Sequence, residues 1–373
     1  TMSLSFKVYH SGPKAIFDVT STIIYGEKDA FLVDAQFQKS KAQEVVREIK
    51  ALGKELKVIF ISHFDPDYYF GLSVIHDAFP NAEILSTAQT AWMISATMEP
   101  KLKVWKDALG DDKPDSFIVP KAVKELPLLE NHEIRIIRNE DDETHSFLYV
   151  PSTGTILGGV SLAEGSHPWM ADTRGLNELD KWILQVEAMK SLAPKNVIAS
   201  HHYGDNPEES PSILDCTLSY LKDYRDALAS GKTADAIVSI MTDKYPQLDG
   251  KDTLTFGAKV ITGVESWERK NLYPGVSHHV LVDFMPASAF DLDFHDNRTF
   301  TFTQTGGEDK GYTDTMDYTA VEVADHVFMV HWQENNGIAV IHVQNWNTLN
   351  VWTNIYIPGQ PGIHLKGKMM LKK

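Results

Sequence analysis

A single cysteine, Cys216, in a chain of 373 residues leaves no partner for an intrachain disulfide. The fold must hold by packing alone, which fits a reducing compartment such as the cytoplasm. Around that cysteine, Ile213-Leu214-Asp215-Cys216-Thr217-Leu218 has helical apolar spacing, which predicts a buried structural thiol rather than a nucleophile. The chain also lacks any apolar run of the roughly 20 residues that a membrane helix needs. The opening Ser3-Leu4-Ser5-Phe6-Lys7 is not a signal peptide. Basic residues are scarce: 35 Lys and Arg stand against 51 Asp and Glu, a net charge of −16. Such a surface repels phosphate backbones and anionic lipid, so neither nucleic acid nor membrane is an expected partner. There is no internal repeat and no low-complexity tract, which excludes a solenoid.

What is present is an ordinary globular composition, 43% hydrophobic, over a length that suggests two domains. Strand and helix patterns alternate from the start. Thr20 to Ile24 and Ala30 to Asp34 read as strands joined by a turn, and Lys39 to Leu52 as an amphipathic helix that Gly53 ends. Val58 to Ile61 reads as a buried strand, Gly71 to Phe79 as a helix, and Glu83 to Leu85 as a strand. Further strands are expected at 146–150, 155–157 and 196–199, with helices at 177–192, 212–228 and 234–245. Near Asn271-Leu272-Tyr273-Pro274-Gly275 the helical period disappears. Alternating stretches follow at 299–303, 327–332, 338–343 and 351–357, an antiparallel meander most simply closed as a small barrel. The expected domains are 1–270 and 275–373.

The segment richest in chemistry is Ser62-His63-Phe64-Asp65-Pro66-Asp67-Tyr68-Tyr69-Phe70-Gly71, which follows a buried strand and opens a helix. The C-terminal ends of central strands are where open α/β sheets place ligands. One His and two Asp within five residues suit metal ligation or acid/base work, and equally suit a polar loop that caps the next helix. A second His-bearing segment, Ser200-His201-His202, also follows a strand.

These segments, in this order, resemble the metallo-β-lactamase superfamily over most of residues 14–269. Asp34 resembles its early aspartate; His63 and Asp67 match the first histidine and the aspartate of its H-x-H-x-D-H signature; Ser200-His201 matches its late Gly-His. The resemblance implies an αββα sandwich and a metal-dependent hydrolase. The departures are as informative. Asp65 stands where the second histidine belongs, and Tyr68 where the last one does. Glu143 or His145 falls near the third-motif histidine, and Val160 takes the place of the aspartate that bridges two metals. A valine cannot bridge cations, so an intact two-metal site is not expected.

His63, Asp65, Asp67 and His201 are the candidate metal ligands, for one divalent ion (zinc before iron or manganese) or for none. Asp65, Asp67 and Tyr68 are the candidate catalytic residues; with no metal they form an acid/base cluster in the inherited pocket. His145, His167, Trp169 and His202 are candidate substrate contacts, the His167-Pro168-Trp169 turn being as readily a plain surface turn. Phe290 to Phe294, Trp332-Gln333-Glu334 and His342 to Trp346 resemble the calycin-type, lipocalin-like barrel of the MoaF family, whose inner face would take His331 or Trp332 and His342 or Gln344 by alternation. Barrels of this kind can hold one ligand, and more often are simply packed.

The expected function is hydrolysis of an ester or lactone of a small molecule. A non-hydrolytic lyase, isomerase or cyclase using the pocket without metal is the first alternative, and a non-catalytic ligand-binding protein the second. The expected partner is a small-molecule substrate, with self-association left open.

Overall fold

The structure, a computed structural model, describes residues 2–139, 142–204 and 208–373. In chain order its strands are β1 Ser5–His10, β2 Thr20–Tyr25, β3 Asp29–Val33, β4 Glu55–Phe60, β5 Glu83–Ser86, β6 Lys121–Ala122, β7 Arg135–Asn139, β8 Asp142–Val150, β9 Thr155–Leu157, β10 Ala163–Glu164, β11 Asn196–Ile198, β12 His201–His202, β13 His279–Asp283, β14 Ser288–Phe294, β15 Thr299–Gly307, β16 Thr313–Asp317, β17 Thr319–Ala324, β18 Val327–Gln333, β19 Ala339–Asn345, β20 Asn350–Tyr356 and β21 Ile363–Leu371. The helices are α1 Lys39–Leu52, α2 Pro66–Tyr69, α3 Leu72–Ala78, α4 Ala88–Leu109, α5 Leu176–Ser191, α6 Ser212–Ala229, α7 Ala234–Lys244 and α8 Lys251–Ile261. The chain divides into two compact units. The first holds residues up to Thr87 and Met98–Arg269; the second holds Ala88–Thr97 and Lys270–Lys373. Among the described residues no helix is long and apolar enough to cross a membrane.

In the first unit, β1 to β6 form a mixed sheet in sequence order, antiparallel through β3 and parallel from β3 onward. A second sheet runs β11-β9-β8-β7. Phe31 and Val33, Val58 and Phe60, and Leu85 from the first sheet share one core with Leu148, Val150, Leu157 and Ile198 from the second, so the two sheets face each other. Strand alternation leaves Ile23, Leu32 and Ile59, all fully buried, for the outer face of the first sheet. α1 supplies the matching stripe, with Ala42, Val45, Val46 and Ile49 buried at the i, i+3, i+4 and i+7 spacing. On the other side, Phe147 and Ile156 of the second sheet pack with Leu179, Val186, Leu214, Leu221, Ile237 and Leu254 from α5 to α8. This is the αββα order. α6 keeps Cys216 on its exposed face. The expectation of a buried thiol is thus corrected: the buried row runs through Ile213, Leu214, Thr217, Leu218, Leu221 and Tyr224, and Cys216 falls outside it.

The second unit is a nine-stranded antiparallel sheet, ordered β16-β15-β14-β13-β21-β20-β19-β18-β17 and curled into a half-barrel. Its concave face carries Val280, Val282, Leu292, Phe294, Phe300, Phe328, Val330, Trp332, Val340, His342, Gln344 and Val351, all buried. Of the alternatives left by period two, Trp332, His342 and Gln344 point inward, while His331 is only half-buried. The first ten residues of α4 pack with this unit: Trp92 lies against Tyr273 and Phe328, with ring centroids 6.4 and 6.1 Å apart.

Candidate functional site

The site is built at the end of β4. The strand is followed by Ser62 and His63, and Asp65-Pro66 starts α2, with Pro66 at the first helical position, where its missing N–H costs nothing. Asp34, just past β3, adopts a left-handed backbone (φ 69°), which aspartate tolerates better than most residues. That turn aims its buried carboxylate at Ser62, whose backbone N–H and hydroxyl donate to it at 2.8 and 2.7 Å. The Ser62 oxygen in turn accepts the N–H of Gly159 at 2.8 Å. One buried chain of hydrogen bonds thus ties the loops of the two sheets together. Gly159 has φ 82°, and a Cβ there would lie 2.5 Å from the Ser146 carbonyl oxygen, so the close approach requires glycine. Burial pushes the Asp34 carboxyl up to about 7, against the two hydrogen bonds from Ser62.

Around this brace the structure gathers His63, Asp65, Asp67, Tyr68 and His201. His63 is buried, and its Nδ1 lies 3.2 Å from the Asp65 backbone nitrogen and 3.4 Å from Asp65 Oδ2. The His63 and Tyr68 rings are 5.4 Å apart, and Tyr68 and His201 5.7 Å. His201, from the short strand β12, places Nε2 2.6 Å from Asp67 Oδ2. That is the length of a charge-assisted bond. Burial opposes charge on the imidazole, but the hydrogen bond and the charge of Asp67 outweigh it and raise His201 to about 9. At neutral pH the His201 imidazole is therefore held protonated beside Asp67. Burial also opposes charge on Asp65, yet the neighbouring His63 holds that carboxyl below its ordinary range. His201 and Asp65 keep about a fifth of their side-chain surface open, whereas His63 and Asp67 keep less than a tenth. The open members are the ones a substrate can reach.

Tyr68 is fully buried and its hydroxyl donates to the Gly159 carbonyl at 3.0 Å. Burial, then the charges of Asp67 and Asp34, push its pKa well above 10, so it stays a neutral donor with its hydrogen already committed. Its geometry is that of a brace between α2 and the Gly158-Gly159 turn.

The four candidate substrate contacts separate. His145 has its ring centroid 6.1 Å from that of His63 and bonds Asp142 at 2.5 Å through Nδ1, so it belongs to the cluster. Trp169 donates its indole N–H to Asp172 at 2.8 Å and packs against Trp267 at 5.5 Å. His167 instead bonds the Tyr220 hydroxyl of α6 at 2.7 Å and is buried with the helices. His202 follows His201 on a strand and so faces the opposite way, against His10 at 5.0 Å and Glu164 at 3.2 Å. The expectation that His167 and His202 contact substrate has no support in this geometry. Sequence reading missed Asp142, Asp172, Trp267 and Lys101; the Lys101 ammonium lies 4.8 Å from the Trp267 ring centre and its charge acts on Asp65. These residues sit 95 or more positions from their partners or in no motif, and no sequence signal marks them.

The superfamily that this region resembles usually binds zinc. Among the described residues no three His, Cys, Asp or Glu side chains form a group that could hold a metal ion. His201 and Asp67 are bonded to each other, His63 Nδ1 to a backbone N–H, Tyr68 holds a carbonyl where a ligand would be needed, and Val160 offers no donor. Zinc asks for three or four converging deprotonated ligands. These residues do not fit it.

Residues 16–201 match the profile of the metallo-beta-lactamase superfamily, and residues 276–370 that of the MoaF-like family. No curated protein matches the chain significantly. Among solved structures, a beta-lactamase domain protein from Burkholderia ambifaria is similar at 12% identity, covering 69% of this chain and 84% of its own, with a TM-score of 0.50. A metallo-beta-lactamase family protein from Thermus thermophilus is similar at 16% identity, covering 69% and 91%, with a TM-score of 0.49. The first of these likenesses speaks for the fold alone. At family level the fold supports a hydrolase-like enzyme. The chain thus carries a metallo-β-lactamase superfamily domain followed by a MoaF-like domain.

Proposed function

We propose that the first unit is an acid/base enzyme for small carbonyl compounds, hydrolysing an ester or lactone without a resident metal. The observation that carries this reading is the 2.6 Å pairing of His201 with Asp67, two residues 134 positions apart, with His201 keeping about a fifth of its side-chain surface open. An imidazolium held by a buried carboxylate is a positioned proton donor. In the proposed step a water oxygen attacks the carbonyl carbon while Asp65 takes a proton from that water. The His201 imidazolium faces the developing oxyanion and gives its proton to the leaving alkoxide. Carboxylic acid and alcohol leave, and the proton on Asp65 returns to His201 through solvent. Asp67 touches only His201 in this scheme and acts as its positioning residue, as Tyr68 and Ser62 do for the loops.

Val160 favours a second reading, in which the same pair serves a lyase, isomerase or cyclase. There Asp65 removes a proton next to the carbonyl while His201 polarises its oxygen, and no water enters the product. The test is turnover of an ester and lactone panel in H₂¹⁸O by the wild type and by His201→Ala. One ¹⁸O per product, lost with His201→Ala, supports hydrolysis. Turnover without ¹⁸O moves the chemistry to the second reading, and no turnover of any panel member overturns the hydrolytic one. Dialysis against EDTA is expected to leave the rate unchanged; loss that zinc restores would contradict the metal-free scheme.

A further inference from the structure

The concave face of the half-barrel holds a hydrogen-bond relay that ends on an unused donor. The Tyr273 hydroxyl donates to Gln344 Oε1 at 2.8 Å. That fixes the amide, so Gln344 Nε2 faces His342 Nδ1 at 3.2 Å. An amide nitrogen can only donate, so His342 Nδ1 accepts and the imidazole proton is on Nε2. His342 and Gln344 are buried, 3% and 0% exposed, and among the described residues the bond to Gln344 is the only side-chain hydrogen bond of His342, made through Nδ1, so that its Nε2–H is left for another acceptor. Directly across the β19–β20 ladder from His342 is Thr353, 2% exposed, whose hydroxyl has no partner among the described residues. Buried polar groups are nearly always bonded, so the orphaned Thr353 hydroxyl, facing an imidazole whose Nε2–H is uncommitted, points to something that completes both. The surroundings are aromatic: Trp332 and Phe284 lie 4.9 and 5.9 Å from the His342 ring, and Phe300 4.8 Å from Trp332.

We infer that the MoaF-like half-barrel is a binding site for a small uncharged planar molecule carrying a carbonyl oxygen, which accepts the N–H of His342 and the hydroxyl of Thr353 between aromatic walls. The relay through Gln344 and Tyr273 presents the N–H in one fixed tautomer. Burial lowers the His342 pKa to about 3, so the ring is neutral at working pH and offers a hydrogen bond without a charge. That chemistry prefers a neutral ketone, aldehyde, ester or lactone to a carboxylate. The site is independent of the acid/base cluster and stands whether or not that cluster is catalytic.

The test uses the full chain labelled with ¹⁵N-histidine, the His342 signal being the one that vanishes in His342→Phe. Acetophenone is the probe, with ethylbenzene as a near-isostere lacking the acceptor and benzoate as a charged one. Saturable movement of the His342 Nε2 signal by acetophenone is expected, with ethylbenzene and benzoate at least tenfold weaker. His342→Phe, followed by isothermal titration calorimetry because the His342 signal is gone, should weaken acetophenone about tenfold and leave ethylbenzene unchanged. Thr353→Val, which keeps the shape and breaks no existing bond, should weaken acetophenone alone and covers the case in which the histidine variant fails to fold. Equal binding of ethylbenzene, unchanged acetophenone binding in Thr353→Val, or no saturable shift by any probe would overturn the inference, the last meaning that ordered water alone completes His342 and Thr353.

Discussion

Two histidines, His201 in the first unit and His342 in the second, are both set among buried groups and are driven in opposite directions. Burial disfavours charge on each. At His201 the Asp67 carboxylate 2.6 Å away reverses that and holds the ring protonated to about 9. At His342 the neighbours are an amide, a threonine and aromatic rings, nothing repays the lost solvation, and the ring stays neutral down to about 3. The difference teaches that the residue type does not decide the chemistry of a site: the partner does. A proton donor for catalysis needs the first setting, and a neutral recognition donor needs the second.

The comparison breaks most visibly at Asp67. Asp67→Asn removes the charge but keeps the shape, and His201 then has only the weaker charges of Asp18 and Asp65 to set against burial, so its pKa falls. Turnover of a responsive ester or lactone should fall by about 10²- to 10⁴-fold, the usual worth of a positioned acid or base. Steady-state assays at pH 7 check this, and a loss below about threefold would detach the pair from the chemistry. Next in size is the steric lock behind the site. A Cβ on Gly71 would lie 2.0 Å from the Ala35 carbonyl oxygen and 2.7 Å from Ala42 Cβ. Gly71→Ala should therefore cost about 1–3 kcal/mol in urea unfolding, as overpacking does, and should slow turnover by moving α2.

The pH dependence sharpens the contrast further. The folded pKa of His201 is raised, so its pairing contributes stability that is complete below about 6.5 and is lost as pH rises through about 9. The stability gap between wild type and Asp67→Asn should accordingly narrow across pH 7 to 10, and turnover through the protonated imidazole should decline above about 9. Smallest is Thr353→Val in the half-barrel. Its hydroxyl has no partner to lose among the described residues, and the unfolding free energy should change by less than about 0.5 kcal/mol, as for substitutions that break no existing interaction.

Much of the first unit was legible because its periods are clean. α1 runs from Lys39 to Leu52 as its apolar spacing and Gly53 predict, and β4, α6 and α7 fall within a few residues of their patterns. α4 was not read at all. Its 22 residues combine Pro100 with a first half that packs in one unit and a second half that belongs to the other, so no single apolar stripe runs through it. At the site, His63, Asp65, Asp67, Tyr68 and His201 could be named from two short segments. The role of Tyr68 could not, because its hydrogen bond goes to a backbone carbonyl 91 residues away, which leaves no trace in side-chain identity. His167 misled for the converse reason: a His-Pro-Trp turn looks alike whether its ring meets a pocket or, as here, Tyr220 of a helix.

The most direct test of the acid/base account is the titration of His201 by ¹⁵N NMR in the full chain, assigned by its loss in His201→Ala. The account requires a midpoint near 9 in the wild type that falls clearly in Asp67→Asn. A wild-type midpoint between 6 and 7, unmoved by Asp67→Asn, would show that the two residues are not paired in solution and would contradict it.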